Sequence, residues 1–106
     1  MLGDELLIEQ LNRKEVKAFK ELFNRFYRYL VLYAMKWVER QEEAEDIVQD
    51  LFVQIWERDT CYSSYYGFNN FLYNSVKNAC LDFLKHRTSR PLPAGVYLGE
   101  VFTRSL

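Results

Sequence analysis

The residues best suited to do chemistry lie in the segment AEDIVQDLFVQIWE, residues 44–57. Its apolar residues recur at helical spacing and form one stripe that is expected to be buried. The other side of this predicted helix carries two carboxylates and two amides around a valine: Asp46, Gln49, Asp50, Val53 and Gln54. Carboxylate and amide oxygens accept hydrogen bonds from arginine side chains, which predicts a surface for a basic protein partner. On periodicity alone, an ordinary solvated helix face explains the same residues.

A second candidate site is the aromatic stretch at residues 62–73. Its rings are interleaved with hydroxyl and amide side chains in the order Tyr62, Ser63, Ser64, Tyr65, Tyr66, Phe68, Asn69, Asn70, Phe71 and Tyr73. Aromatic rings stack on unpaired bases, and amides and hydroxyls read the edges of a flipped base. The stretch therefore predicts a site for single-stranded DNA. The alternative is that rings such as Phe68 and Phe71 fill the core between two helices.

No arrangement of side chains indicates catalysis. The sequence has no nucleophile elbow and no P-loop, and His86 is its single histidine, so a histidine pair is excluded. Asp46 and Asp50 lie four residues apart, but two carboxylates without further ligands are a weak metal or acid–base signal. Cys61 and Cys80 are too few for a disulfide scaffold or, beside one histidine, a zinc site. We predict no enzyme, no cofactor, no metal site and two free thiols.

The composition predicts one folded domain. The 106 residues are 49% hydrophobic and 17% aromatic, which suits a single buried core. The chain has neither a signal-peptide pattern at its start nor a membrane-spanning apolar run, which predicts a soluble, cytoplasmic protein. Residues 1–60 hold thirteen acids against nine Lys and Arg, whereas residues 61–106 hold two against five. This polarity suits two partners of opposite charge preference, or it is an uneven scatter of solvating charge.

Four helices with short connections are expected to position the candidate residues. Helical spacing, caps and breakers predict helices at residues 4–12, 14–40, 44–57 and 68–87. Asp4 is expected to be the N-cap of the first helix, and residues 41–43 to lead into the third. The second helix is expected to be covered on most of its circumference, because Val31, Leu32 and Met35 widen its apolar stripe. The segment RDTCYSSYYG at 58–67 is predicted to be a loop, and residues 91–106 a linker or tail. The expected fold class is all-α, a small four-helix bundle over residues 1–90.

Three segments together resemble region 2 of the bacterial sigma-70 family, specifically its extracytoplasmic-function (ECF) group. Residues 44–52 are similar to the family signature A-E-D-[IL]-V-Q-[DE]-x-F. Upstream, AFKELFNRFYRYL resembles the Ala-Phe-x-x-Leu-Tyr opening helix. Downstream, FLYNSVKNACLDFLKHR resembles the Trp-Leu-Tyr-x-x-Ala-x-Asn-x-x-x-Asp-x-x-Arg segment. The resemblance covers residues 5–90 in family order and spacing.

The resemblance implies two macromolecular partners. In the family, the helix equivalent to 44–57 docks on the clamp helices of core RNA polymerase, and Asp46, Gln49 and Asp50 match the contacting positions, beside Val53 and Gln54. The loop from Thr60 to Phe68 matches the one that captures a base flipped from the non-template strand of the minus-ten promoter element. The DNA-binding residues so implied are Tyr62, Ser63, Ser64, Tyr65 and Tyr66 in and beside the loop, Lys77 and Asn78 at the melted strand, and Lys85, Arg87 and Arg90 at phosphates. An anti-sigma factor is a further implied partner, and insertion into a membrane is not expected.

Departures from the family pattern fall on the DNA side. Phe71 stands for the usual Trp, Asn74 for an Arg, and Ser75 for an aliphatic residue. They leave open an alternative function, a sigma-like helical protein-interaction module without promoter recognition. No helix-turn-helix pattern for the minus-thirty-five element precedes Leu106, so the chain is expected to be a region 2 domain that binds promoters weakly by itself.

Overall fold

The computed structural model describes residues 3–89, and within them it contains four helices and no strand. The helices are α1 (Asp4–Asn12), α2 (Val16–Ala34), α3 (Gln41–Glu57) and α4 (Tyr65–Ser89). The predicted all-α four-helix bundle is confirmed. The predicted phosphate contact of Arg90 and the predicted tail at 91–106 lie outside the described residues, as does the side chain of Arg87.

A single core joins the four helices, and α2 contacts each of the other three. Leu7 of α1, Leu22 of α2, Val48 of α3 and Leu72 of α4 are all fully buried. The apolar stripe predicted for the third helix is confirmed, since its members Ala44, Val48, Leu51, Phe52 and Ile55 are buried and Ile47 is half-buried. Because this stripe faces α2 and α4, the polar side of α3 faces outward.

The first two helices are joined by a tight left-handed turn, so the second helix begins two residues later than predicted. The Lys14 N–H donates to the Leu11 carbonyl at 2.9 Å, and the Glu15 N–H to that of Gln10 at 3.1 Å. This is a Schellman motif, in which Lys14 takes the left-handed conformation with φ 60°. Left-handed backbone is unfavourable for lysine, but its Nζ donates to the carbonyls of Trp56 and Arg58 at the end of α3. The turn thereby satisfies orphan carbonyls of a second helix.

The second helix also ends earlier than predicted, at Ala34 instead of residue 40. The Lys36 and Trp37 N–H groups donate to carbonyls three residues back, at 3.1 and 3.0 Å, so the chain tightens into turns. Val38 then enters the core with 1% of its surface exposed. The chain leaves the regular helix here although no Gly or Pro marks the position in the sequence.

Two expectations about burial are wrong. Leu32 and Met35 do not widen the buried stripe of α2 but are exposed. Helical spacing from buried Leu72 and Val76 predicts a core position for Ala79, but Ala79 is exposed as well. The outer side of α2 stays uncovered at Leu32 and Met35 because α1 is too short to reach these residues.

The fourth helix begins three residues earlier than predicted, so the loop spans residues 58–64 instead of 58–67. The Ser64 Oγ accepts a hydrogen bond from the Gly67 N–H at 3.1 Å, and the Ser64 carbonyl accepts one from the Phe68 N–H at 3.0 Å. Ser64 is therefore the N-cap of α4. Gly67 lies within the first turn of α4 and therefore does not break the helix. A Cβ at this position would lie 3.2 Å from the capping Ser64 Oγ, so a glycine leaves room for the cap.

The loop is tied to α1 by one side chain. Asn12 Nδ2 donates to the Tyr62 carbonyl and Asn12 Oδ1 accepts from the Tyr62 N–H, both at 2.8 Å. One amide thus satisfies both backbone groups of a residue fifty positions away, as a neighbouring strand would. This contact fixes the path of residues 58–64 over the bundle.

Replacing Asn12 should loosen this anchor. Asn12→Ala is expected to lower the free energy of unfolding in urea by about 1–3 kcal/mol, because it leaves two partly buried backbone groups unpaired. Asn12→Asp, which can accept but not donate, should also be destabilising. The matched control is Asn24→Ala, which removes an exposed asparagine from α2 and should change stability by less than about 0.5 kcal/mol. Equal stability of Asn12→Ala and wild type would contradict the anchor.

The cap of α4 is tested by two adjacent serines. Ser64→Ala should lower the free energy of unfolding by about 1 kcal/mol, or the melting temperature by about 4–8 °C for a domain of this size. Ser64→Asp keeps an acceptor oxygen and should retain most of the stability, whereas Ser63→Ala removes an exposed hydroxyl and serves as control. A melting temperature that falls equally for both alanine variants would exclude a capping role specific to Ser64.

Candidate interaction surfaces

The first candidate surface is the outer side of α3, where all five predicted polymerase-binding residues are exposed: Asp46, Gln49, Asp50, Val53 and Gln54. Val53 exposes 54% of its surface among these polar neighbours. The Gln49 Nε2 donates to the Tyr27 hydroxyl at 3.1 Å, which fixes this amide across the groove between α2 and α3. The arrangement presents carboxylate and amide oxygens on one side of one helix.

This surface continues into an apolar patch that sequence reasoning missed. Trp56 lies one turn after Val53 and exposes 38% of its surface, and Phe23 of α2 exposes 37%. The Phe23 ring stacks on that of Tyr27 with centroids 4.5 Å apart, and Trp56 packs edge-on against Phe19 at 5.1 Å. Helical spacing from Phe19 and Phe26 predicts a buried position for Phe23, whereas the i, i+3 spacing of Val53 and Trp56 indicates a shared surface. Together, Phe23, Val53 and Trp56 form an exposed apolar patch beside the carboxylates.

The second candidate surface is the aromatic loop, and some of its rings pack in the core. Tyr62 is half-buried, and its ring centroid lies 4.5 Å from that of Phe68 and 5.5 Å from that of Phe71. Burial raises the pKa of the Tyr62 hydroxyl, against a smaller lowering by Arg58. Phe68 exposes 1% of its surface. Packing in the core therefore explains Phe68 and much of Tyr62 without a ligand.

Tyr65 and Tyr66, predicted in the loop, lie in the first turn of α4 and point differently. The Tyr65 ring packs 6.0 Å from that of Phe26 and lies under the Arg25 guanidinium at 5.7 Å. Burial by itself lowers the pKa of Arg25. Hydrogen bonds and charge interactions with Tyr65 and Glu21 outweigh this effect, so the pKa of Arg25 is raised overall. Tyr66, by contrast, exposes 77% of its surface. Tyr66 is thus the ring near the loop that is most open to a ligand.

The outer side of α4 brings together the remaining predicted DNA-binding residues. Helical spacing and exposure place the predicted residues Tyr66, Lys77, Asn78 and Lys85 on one stripe, together with Asn70, Asn74 and Leu81. The stripe includes no acid, and it contains three asparagines at i, i+4 and i+8. Asn70 belongs to the aromatic stretch predicted above to bind single-stranded DNA. Asn74 was not predicted as a site residue, although its spacing from Asn70 and Asn78 is visible in the sequence. The loop residues Tyr62 and Ser63 precede this stripe, and Ser63 is exposed.

Other sites are not indicated within the described residues. No group of three or more His, Cys, Asp or Glu side chains is placed to hold a metal ion in that part of the chain. Cys61 and Cys80 are both free thiols, exposed and buried respectively. Burial raises the pKa of Cys80. Among residues 3–89, no helix has both the length and the apolar character needed to cross a membrane.

Comparison with known proteins agrees with the geometry. The family model described as Sigma-70 region 2 matches residues 22–90, close to two thirds of the chain. No curated protein and no solved structure matches the chain. Region 2 domains serve transcription initiation, with RNA polymerase and promoter DNA as partners, and the family is not one of enzymes. The match includes all of α3 with its exposed carboxylates, and the chain therefore belongs to the sigma-70 family through a region 2 domain.

Proposed function

We propose that this domain belongs to the ECF group, docks on the clamp helices of core RNA polymerase through α3, and recognises and melts the minus-ten promoter element with α4 and the loop before it. The observation that carries the proposal is the exposed side of α3 within the family match, where Asp46, Gln49 and Asp50 lie beside an apolar patch. An anti-sigma factor as partner and a cytoplasmic location accompany this proposal.

The α3 surface has the composition of a protein interface. Phe23, Val53 and Trp56 supply an apolar centre, and aromatic residues are enriched at the energetic centres of interfaces. Asp46 and Asp50 supply an acidic rim that would attract a basic coiled coil and orient it. Gln49 is held by Tyr27 at 3.1 Å, so little side-chain entropy is lost when a partner bonds the same amide. The apolar centre gives affinity, and the acidic rim gives specificity.

The α4 surface suits a melted DNA strand. Tyr66 offers an exposed ring for stacking on an unpaired base. Ser63 and Asn78 offer groups that can read base edges, while Lys77 and Lys85 offer charges for phosphates. Ser64 and Tyr62 act in this scheme mainly by holding the loop and the start of α4 in place. Tyr65 lies on the inner side of this surface, where its ring contacts Arg25 and Phe26 of α2.

Polymerase docking is tested by a triple substitution. Asp46→Ala, Gln49→Ala and Asp50→Ala together should weaken binding to core RNA polymerase, or to its isolated clamp coiled coil, by at least about tenfold, because acceptors for arginine are lost. Binding is measured by pull-down and by titration, with circular dichroism to show that the fold is retained.

The matched control removes the same kinds of chemical group from the start of α3 and the residues just before it. Glu39, Gln41 and Glu42 are two acids and one amide, all exposed, and their alanine variants should bind as wild type does. If both triple variants lose affinity equally, net charge and not this surface carries the binding. If neither does, the docking assignment is wrong.

DNA recognition is tested with Tyr66. Tyr66→Ala should weaken binding to a single-stranded minus-ten oligonucleotide by about tenfold, since base stacking on an aromatic side chain is lost. Tyr29→Ala removes another exposed tyrosine, on α2, and should leave DNA binding unchanged. The assay compares oligonucleotides of different sequence in the presence of core polymerase, because the isolated domain is expected to bind DNA weakly.

The alternative function is a helical interaction module without promoter recognition. It is favoured by Asn74, which stands for an arginine of the family, and by the packing of the Tyr62 and Tyr65 rings against the core. Polymerase binding with no preference among DNA sequences, unaffected by Tyr66→Ala, would establish this alternative and exclude promoter reading.

A further inference from the structure

The second half of α2 carries an exposed apolar stripe that the proposed function does not use. Tyr29, Leu32 and Met35 follow one another at three-residue intervals and expose 63%, 57% and 38% of their surfaces. We call these three residues the α2 stripe. They form a ridge roughly 9 Å long on the helix, and exposed apolar clusters of this kind mark interaction sites.

The stripe is bare because α1 is too short to reach it. α1 runs antiparallel to α2, and its first residue, Asp4, pairs with Arg25 at 3.1 Å. Beyond Arg25, α2 is covered from other directions only: Leu30 and Ala34 are buried in the core, and Tyr33 meets Tyr73 of α4 at 4.9 Å. The α2 stripe therefore begins one turn past the point at which α1 stops.

The stripe is also distinct from the α3 surface. Phe23 and Tyr27 line the groove toward α3, and at 100° per residue the α2 stripe lies on the opposite side of the α2 axis. At its α4 edge lies Tyr73, whose pKa is raised by burial first and then by its tyrosine neighbours, Tyr29 among them. A partner on this stripe would thus contact α2 and the edge of α4 without covering Asp46 or Asp50.

The charges around the stripe are positive. Arg28 and Lys36 are exposed at its two ends, and the Lys36 Nζ lies 5.3 Å from the Tyr33 ring. No acid occurs between residues 28 and 36. The nearest carboxylates toward α1, those of Asp4 and Glu21, both pair with Arg25, at 3.1 and 3.0 Å. The surface therefore complements an acidic partner.

We propose that the α2 stripe is the docking site of a partner protein's amphipathic helix, which lies end to end with α1, packs its apolar side on Tyr29, Leu32 and Met35, and pairs its acidic residues with Arg28 and Lys36. α1 already uses this mode of packing, since Leu7, Ile8 and Leu11 bury one side of a helix against the bundle. Leu32 and Met35 cannot stack on bases, so a peptide suits the stripe better than a nucleic acid does. The proposal does not depend on promoter recognition or on the α3 surface.

The test uses the full 106-residue chain and two fluorescently labelled synthetic helical peptides with the same leucine stripe, one flanked by glutamates and one by lysines. Fluorescence anisotropy should show that the acidic peptide binds about tenfold more tightly than the basic one. Leu32→Ser should weaken binding of the acidic peptide by about tenfold. Leu81→Ser, which alters an equally apolar residue exposed on α4, should leave it unchanged, and circular dichroism checks that both variants fold.

Arg28→Gln with Lys36→Gln should abolish the preference for the acidic peptide while keeping the binding that depends on Leu32. Equal binding of both peptides to wild type, or equal loss in Leu32→Ser and Leu81→Ser, would overturn the proposal. So would tighter binding by another occupant that Leu32→Ser disrupts: a second copy of the chain, detected by sedimentation, a peptide of residues 90–106, or a single-stranded oligonucleotide. None of these outcomes depends on polymerase binding, so they are independent of the proposed function.

Discussion

The packing of α2 against all three other helices is the constraint on which the rest of the structure depends. Fully buried Leu22, Leu30 and Ala34 lie along its length, and the aromatic contacts of Phe19 and Phe23 with Phe52 orient α3. With Phe52 turned toward α2, the helical repeat turns Asp46 and Asp50 outward. The exposure of the proposed docking residues is thus a consequence of core packing, and it requires no special local conformation.

The loop before α4 depends on a part of the chain outside the matched family segment. The match begins at residue 22, but the loop is held by Asn12, and the end of α3 by Lys14. Without α1, the Tyr62 backbone groups would need solvent as partner, and the loop would have few contacts that fix its position. α1 therefore serves the candidate DNA surface although it contributes no residue to it.

The sequence predicts the elements that are locally encoded and misses those decided at a distance. The α3 stripe and its polar side follow from helical spacing, and the free thiols follow from their number and separation. The start of α4 is also locally encoded, because Ser64 is a favourable N-cap residue. Gly67 gives the opposite signal, since glycine usually indicates a break in a helix. By contrast, the anchoring of Tyr62 by a side chain fifty residues away, and the exposure of Leu32 and Met35, depend on where α1 lies. Periodicity marks a residue as apolar but does not show whether another helix reaches it.

The two proposed protein-binding surfaces lie on opposite sides of α2, and this placement has a mechanistic consequence. The acidic α3 surface would attract a basic partner and the basic α2 stripe an acidic one, so neither partner would compete for the other's site. Because both proposed surfaces include residues of α2, a partner on one would influence the other by changing how α2 packs or how readily the bundle opens. Phe19 and Phe23 pack on Phe52 only on the α3 side of α2, so coupling between the two surfaces would have to be carried by the packing of α2 itself. Regulation of polymerase docking from the α2 stripe would then be a change in core packing, and not the direct occlusion of Asp46 or Asp50.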